Sequence, residues 1–306
     1  MNKPSPPFSV PMKRKRGETN KNTQPKDQKY MMESNVKDYY NSDNLRQNIE
    51  TAFIKAGKPP VNLELRDLSP IDQLHTGGAR ASLDLFKKIH LSSDAVVLDA
   101  GCGIGGSARL LAQQVNCRVM GVDLAERFIE AATFLTRCTR LDHMVTFQQG
   151  SILDLPFEDH TFDAVLCQHI LMNIEDKSKA VKEFFRVLKP EGKLLLHEIT
   201  RGDHDRLLFP VPWAGKADIS FLETWESLSA LFERQGFDIR FSSNETRAAW
   251  GWWEKVKAVS QKKGPQPNFI GPGLIFGKNA SSFGNNMHTN FKKNAICLME
   301  AVLEKS

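Results

Sequence analysis

Residues 95–106 read AVVLDAGCGIGG, an apolar run that leads through a carboxylate into four glycines. The apolar residues predict a short buried strand, and the glycines predict a tight loop after it. Gly101, Gly103 and Gly106 fit the G-x-G-x-x-G spacing of a dinucleotide-binding loop. The same stretch also fits a D-x-G-x-G-x-G spacing that starts at Asp99. Either loop would let the backbone approach an adenine nucleotide or nucleoside closely.

Asp99 distinguishes the two cofactors. In a dinucleotide site the pyrophosphate lies against the backbone N–H groups that follow the first strand, and a carboxylate at this position would repel it. S-adenosylmethionine has no phosphate and carries a sulfonium and an ammonium group, so the same carboxylate would attract it. Asp123, 22 residues after Gly101, can accept hydrogen bonds from ribose hydroxyls in either kind of site. The combination predicts a nucleoside cofactor, and Asp99 favours S-adenosylmethionine.

The hydrophobic pattern around this loop predicts an α/β protein. Short apolar runs alternate with amphipathic segments, which is typical of a parallel, doubly wound sheet. Strands are predicted at 95–100, 118–122, 144–149, 162–168, 193–199, 237–241 and 296–303. Helices are predicted at 45–56, 78–89, 107–115, 125–137, 178–188, 224–235 and 246–260. Residues 264–273 are predicted to form a Gly/Pro loop.

Composition limits the possible function classes. No apolar run reaches the length of a membrane span, and five scattered cysteines are typical of reduced thiols in the cytoplasm. The net charge of +5 comes from the N-terminus, because residues 1–30 carry +6 and the remaining 276 residues carry −1. We therefore expect no nucleic-acid-binding face on the folded part. Residues 1–35 are predicted to be a disordered basic tail, in which Lys13–Arg16 is either a nuclear import patch or a solvated segment.

Four segments resemble successive motifs of the class I S-adenosylmethionine-dependent methyltransferases: VLDAGCGIGGSARLLA, VMGVDLAERFIEAA, FQQGSILDLPFEDHTFDAVLCQHILMNI and FFRVLKPEGKLLLHEI. Three flanking segments, DQLHTGG at 72–78, GGSAR at 105–109 and FPVPWA at 209–214, resemble a small-molecule branch that contains sarcosine/dimethylglycine N-methyltransferase-like proteins. The resemblance implies a Rossmann-like seven-stranded sheet, mostly parallel with the last strand antiparallel. It also implies an N-terminal helical lid and an insertion before the last strand.

The resemblance divides residues 36–306 into a cofactor core at about 90–200 and substrate-covering segments at about 36–89 and 201–295. It assigns cofactor contacts to nine residues: Asp99, Gly101, Gly103, Gly105, Asp123, Leu124, Ser151, Ile152 and Gln168. Many relatives have an acid after the glycine of the third motif, which binds the adenine amino group. Here Ser151 follows Gly150, so that hydrogen bond would come from the Ser151 hydroxyl or from Asp154.

Methyl transfer from a sulfonium is an in-line displacement that depends on alignment and on exclusion of water. A general base is needed only if the nucleophile arrives protonated. His169, at the end of the fourth strand, and His75, in DQLHTGG, are the candidate bases, although packed histidines remain the alternative. Trp213 and Glu198 are candidates for contacts with a cationic substrate. No cluster has metal-ligand spacing, so we expect no metal.

The leading functional prediction is N-methylation of a small amine of the sarcosine or dimethylglycine kind. One alternative is C- or O-methylation of a quinone, phenol or polyketide-type ring, with a histidine as base. Another is a catalytically silent cofactor-binding protein. A charge-lined pocket walled by Trp213 and the tryptophans of residues 250–253 would favour the amine, whereas an extended apolar pocket would favour the ring. The sequence leaves the oligomeric state open.

Overall fold

The computed structural model describes residues 8–13, 44–204, 206–263 and 270–306. Its centre is a seven-stranded sheet. In chain order the strands are β1 (Val96–Ala100), β2 (Arg118–Asp123), β3 (Val145–Gln149), β4 (Phe162–Gln168), β5 (Leu188–Arg201), β6 (Phe237–Asn244) and β7 (Ile296–Lys305). The spatial order is β3-β2-β1-β4-β5-β7-β6, with β7 antiparallel to both of its neighbours. The predicted mostly parallel sheet with an antiparallel last strand is therefore confirmed.

Helices cover both faces of this sheet. They are α1 (Leu45–Lys55), α2 (Leu65–Asp72), α3 (Gly78–Phe86), α4 (Gly106–Val115), α5 (Glu126–Cys138), α6 (Lys177–Val187), α7 (Trp225–Gln235), α8 (Thr246–Lys263), α9 (Gly273–Phe276) and α10 (Ala280–Lys292). Successive residues of β1 point to opposite faces, so Val97 packs in the cluster of α3 and α4 and Leu98 in that of α6 and α7. None of the helices described is long and apolar enough to cross a membrane.

The chain order of the strands fixes where a ligand can bind. The chain runs outward from β1 to β3 and then returns to the other side of β1 as β4. The connections after β1 and β4 therefore leave the sheet in opposite directions and open a crevice at the carboxyl ends of these strands. The glycine loop, residues 101–105, lies at this point.

Three helices were absent from the sequence-based prediction. Pro70 lies inside α2 and indicates a helix end in the sequence, although the helix continues to Asp72. Helices α9 and α10 occupy a stretch for which no helix was predicted, because the sequence of α10, ASSFGNNMHTNFK, is rich in residues of low helix propensity. Its buried Phe283, Met287 and Phe291 nevertheless recur at helical spacing, and they hold α10 against the neighbouring apolar cluster.

A short piece of the predicted disordered tail lies against the domain. Val10 is buried in the main apolar cluster, and the Lys13 backbone N–H donates to the Pro156 carbonyl at 2.9 Å. The Lys13 ammonium lies 3.2 Å from the Glu183 carboxylate. Residues 8–13 thus differ from the prediction because they bury an apolar side chain and pair their backbone. The rest of residues 1–35, with Arg14–Arg16 of the basic run, lies outside the described residues.

Candidate active site

A cavity of about 470 Å³ opens at the carboxyl ends of β1, β2 and β4. Eleven of the thirteen predicted site residues line it: His75, Asp99, Gly101, Gly103, Asp123, Leu124, Ser151, Ile152, Gln168, His169 and Trp213. The two that do not are Gly105 and Glu198. The topology therefore brings together residues that span more than a hundred positions of sequence.

The three glycines of the loop have different roles. Gly101, Gly103 and Gly105 all have positive φ, which side chains other than glycine rarely adopt. A Cβ on Gly103 would meet no atom within 4 Å, whereas one on Gly101 would overlap the side chain of Ile170. A Cβ on Gly105 would overlap the ring of Phe147, and this residue precedes α4 as its N-cap. Gly105 therefore packs against the Phe147 ring and does not line the cavity, and its contact with the cofactor stays a prediction.

Two carboxylates at the carboxyl ends of β1 and β2 line the cavity. Asp99 is only 3% exposed, and its Oδ2 atom has no hydrogen-bond partner in the part of the chain that the structure describes. Burial, together with the nearby Asp123, raises the pKa of Asp99 to about 7. Asp123 accepts the backbone N–H groups of Gly103 and Ala125, each at 2.9 Å, and these contacts orient its carboxylate. Its pKa is raised as well, mainly by burial.

The loop after β3 forms the next wall. Ser151 and Ile152 line the cavity opposite Leu124. The Ser151 hydroxyl accepts the backbone N–H of Leu153 at 3.1 Å, which fixes its position. Asp154 does not line the cavity, and its carboxylate lies 3.1 Å from the Lys13 ammonium. Of the two residues considered for an adenine contact, only Ser151 is therefore placed to make one.

These residues fit S-adenosylmethionine. The unpartnered Asp99 oxygen suits a cationic ligand group, and Gly103 leaves room for a ligand at the backbone. Asp123 keeps acceptor capacity, because a carboxylate accepts about four hydrogen bonds and the backbone N–H groups of Gly103, Ala125 and Leu124 account for three.

Three histidines meet beside β4. The rings of His169 and His197 are stacked with centroids 5.1 Å apart, and His75 lies edge-on to both at 6.1 and 5.7 Å. Burial lowers the pKa of His75 to about 4 and that of His197 to about 3. The pKa of His169 lies well below its usual value because of burial and the two neighbouring rings. All three imidazoles are therefore neutral at neutral pH and keep a lone pair.

His169 and His75 line the cavity, whereas His197 lies behind His169 on β5. The Nε2 atom of His169 is buried and has no hydrogen-bond partner among the residues described. The His169 backbone has a φ of 56°, in the left-handed region. His169 thus combines an unusual backbone conformation with a buried ring nitrogen that is unpaired among the described residues, and the residue lines the cavity.

Glu198 does not reach the cavity, contrary to the expectation that it contacts substrate. Its Oε1 atom accepts the backbone N–H groups of Ile170 at 2.6 Å and Leu171 at 3.0 Å. Burial raises its pKa to about 7. This side chain holds the turn that follows His169. Sequence alone placed Glu198 on the right strand but could not tell on which side of the turn its carboxylate would lie.

Trp213 is the tryptophan that lines the cavity. It is 1% exposed, and its indole N–H donates to the Ser220 hydroxyl at 2.9 Å. The tryptophans of α8 do not line the cavity, and Trp253 instead donates to Thr76 at 3.1 Å. A cavity walled by Trp213 together with the α8 tryptophans, which would favour the amine, is therefore not formed by the residues described.

Sequence reasoning missed most of the apolar lining. The missed apolar residues include Leu74, Ile104, Phe128, Leu153, Ile170, Met172, Ile174, Pro212, Phe221, Ile275 and Phe276. Apolar residues of this kind carry no local signal that separates a cavity wall from a core.

A buried ion pair was also missed: Arg109 and Asp72 lie 2.9 Å apart beneath the glycine loop. Both belong to the flanking segments GGSAR and DQLHTGG, whose pairing in space the sequence did not show.

Comparison with known proteins agrees with this site. Residues 98–196 match the family model described as a methyltransferase domain. The chain is 30% identical over 199 residues to a demethylmenaquinone methyltransferase from Lactiplantibacillus plantarum, covering 64% of this chain and 81% of that protein. It is also 30% identical over 168 residues to a glycine/sarcosine/dimethylglycine N-methyltransferase from Actinopolyspora halophila. That match covers 55% of this chain but only 29% of the longer relative.

A solved structure supports the fold. The crystal structure of a putative sarcosine dimethylglycine methyltransferase from Galdieria sulphuraria matches with a TM-score of 0.62 at 19% identity. The match covers 75% of this chain and 85% of that one. Together with the cavity geometry, these findings show that the chain belongs to the S-adenosylmethionine-dependent methyltransferases and is an enzyme that uses S-adenosylmethionine as its methyl donor.

Proposed function

We propose that this enzyme transfers a methyl group to an oxygen or carbon atom of a small, largely apolar acceptor, such as a phenol or quinol ring. The observation that carries the proposal is the composition of the cavity beyond Gln168 and His169. The residues that line this end are mostly apolar: Ile170, Met172, Ile174, Pro212, Trp213, Phe221 and Phe276. Burial of an apolar ring against such a surface favours binding, whereas a small hydrophilic amine would gain little binding free energy from it.

Two features of the expected amine site are missing from this cavity. The Glu198 carboxylate is directed to backbone N–H groups, and the cluster of tryptophans on α8 lies elsewhere. The demethylmenaquinone methyltransferase from Lactiplantibacillus plantarum supports the same proposal, because its name indicates a ring acceptor.

N-methylation of an amine is the second candidate. Glu175 and Asp176 are exposed carboxylates on the cavity lining, and they would attract a cationic substrate at the entrance. The Asp176 carboxylate also accepts the Lys179 backbone N–H at 3.0 Å as the cap of α6. The relative from Actinopolyspora halophila, by its name, acts on amines of this kind.

When bound, S-adenosylmethionine supplies an electrophilic methyl group on a sulfonium. The residues of this chain then have three tasks: to orient the acceptor, to exclude water and to receive a proton. The buried apolar wall performs the first two. A hydroxyl or an acidic ring carbon must lose a proton as it is methylated, and we assign this proton to the neutral imidazole of His169, whose side chain lines the cavity.

The test is methyl transfer from methyl-labelled S-adenosylmethionine to a panel of phenols, quinols, sarcosine-like amines and phosphoethanolamine. We expect label in ring acceptors. His169→Asn should lower kcat about 100-fold or more, since general-base catalysis contributes at least that factor, and should leave cofactor affinity nearly unchanged. His143→Ala, an exposed histidine away from the cavity, is the control. Label that enters only amines, with the same kcat in His169→Asn, would contradict the proposal.

A further inference from the structure

We propose that Ser82 is a positioning residue for this reaction, because its hydroxyl fixes the Gln168 side-chain amide with the amino group facing the cavity. Ser82 lies in α3, is 0% exposed and does not line the cavity. It acts only through the two cavity residues that its hydroxyl contacts, His75 and Gln168. The inference deepens the proposed function and depends on it only for the acceptor measurement described below.

The direction of the hydrogen bonds follows from one carbonyl. The Gly78 carbonyl oxygen lies 2.9 Å from His75 Nε2 and can only accept, so Nε2 carries the ring proton. Ser82 Oγ also lies 2.9 Å from that Nε2, so the single N–H proton is shared between the Gly78 carbonyl and the Ser82 hydroxyl oxygen, and both accept from it. The Ser82 proton is then directed to Gln168 Oε1, at 3.2 Å. The Gly78 carbonyl thus determines the direction of both hydrogen bonds made by Ser82.

This hydrogen bond decides which atom of the Gln168 side-chain amide is left without a protein partner. With Oε1 held by Ser82, the Nε2 amino group is the part left for the cavity, and it is buried without a hydrogen-bond partner in the described ranges. A buried N–H group without a partner is costly, so a ligand oxygen placed there would be favoured. Without the Ser82 hydroxyl, the amide could turn over and present its oxygen instead.

The same hydrogen bonds show which ring nitrogen of His75 carries the proton and which carries the lone pair. Because Nε2 donates, Nδ1 carries the lone pair, and burial keeps the ring neutral. The direction of the hydrogen bonds is therefore constant across the pH range in which the enzyme would be assayed. Gln168 consequently offers a donor to one ligand class, an oxygen acceptor. That oxygen belongs either to the carboxylate of the cofactor's amino-acid part or to the methyl acceptor.

The experiment compares Ser82→Ala with the wild type in the full-length chain by calorimetry. The two probes are S-adenosylhomocysteine, which has the carboxylate, and 5′-methylthioadenosine, which lacks it. If Gln168 donates to the cofactor, Ser82→Ala should weaken S-adenosylhomocysteine about tenfold and leave 5′-methylthioadenosine unchanged. If it donates to the acceptor, both affinities stay unchanged and the acceptor KM rises about tenfold. Ser229→Ala, on helix α7 and away from the cavity, is the control.

A double-mutant cycle with Gln168→Ala separates positioning from simple loss of stability. Ser82→Ala should have no further effect once Gln168 is removed, because it acts through that side chain. Equal weakening of both probes, additive effects in the cycle, or unchanged affinities together with an unchanged acceptor KM would each overturn the proposal. The two cofactor probes need no acceptor, so failure of the proposed ring substrate would be distinguishable from failure of this inference.

Discussion

The affinity for S-adenosylmethionine should rise with pH because Asp99 must lose a proton to attract the cationic cofactor. Asp99 is buried, its Oδ2 atom lacks a partner among the residues described, and its pKa is raised to about 7 by burial and by Asp123. A raised acid pKa means that the neutral form dominates below that value. Cofactor binding should therefore release a proton at pH 6 and almost none at pH 8.

The size of the effect follows from that pKa. At pH 6 only about one-tenth of the Asp99 carboxyls are ionised, and at pH 8 about nine-tenths are. The apparent dissociation constant scales inversely with the competent fraction, so it should fall about tenfold between pH 6 and pH 8. Asp99→Asn keeps the shape of the side chain and removes the charge. It should weaken binding at pH 8 by at least about tenfold, or about 1.4 kcal/mol, and should largely remove the pH dependence.

Calorimetry in two buffers of different ionisation enthalpy measures both the affinity and the released proton. Asp123 remains in Asp99→Asn, so the comparison isolates the contribution of Asp99. An affinity in the wild type that stays flat from pH 6 to pH 8, or equal affinities of the two proteins at pH 8, would refute the reasoning.

Other predictions concern the loop, the buried acid and the acceptor wall. Gly101→Ala should unfold at a lower urea concentration than Gly103→Ala, since the new Cβ of Gly101→Ala would overlap a neighbouring side chain. Gly103→Ala should lower the free energy of unfolding by about 1–2 kcal/mol and mainly weaken cofactor binding. Equal urea midpoints for the two variants would count against this difference. Glu198→Gln should be more stable than the wild type by about 3 kcal/mol at pH 8, and this difference should vanish toward pH 4. The reason is that a carboxyl whose pKa is raised in the folded state destabilises the fold as pH rises above the pKa of the unfolded state. A stability difference that stays constant with pH in denaturant titrations would disprove this. Asn173→Ala should raise the acceptor KM more than the cofactor dissociation constant, because Asn173 donates to the Trp213 carbonyl at 2.8 Å; steady-state kinetics in which both constants change equally would argue against a role confined to the acceptor wall.

The cofactor half of the site could be predicted because its signals are local. Asp99 near the end of β1, a loop with glycines at positive φ and an acid at the end of the next strand are all close in sequence. Parallel strands bring their carboxyl ends to one edge, so this local pattern already fixes the geometry. The spacing of the glycines does not show that Gly105 packs against Phe147, because Phe147 lies on the distant strand β3.

The acceptor half could not be predicted because it depends on contacts between distant segments. Met172, Phe221 and Phe276 come from three separate loops and helices, and nothing in their residue types separates a cavity wall from a core. The orientation of Glu198 is decided by the turn at residues 170–171, which takes its two hydrogen bonds. The sequence therefore favoured an amine acceptor, whereas the positions of these side chains favour an apolar ring.

A crystal structure of the enzyme with S-adenosylhomocysteine tests the central claim most directly. We expect the ribose hydroxyls on Asp123, the amino-acid part beside Asp99, and the sulfur facing the apolar space next to His169 and Trp213. A cofactor whose sulfur points away from that space, or a ribose bound elsewhere than at Asp123, would show that the assigned binding mode is wrong.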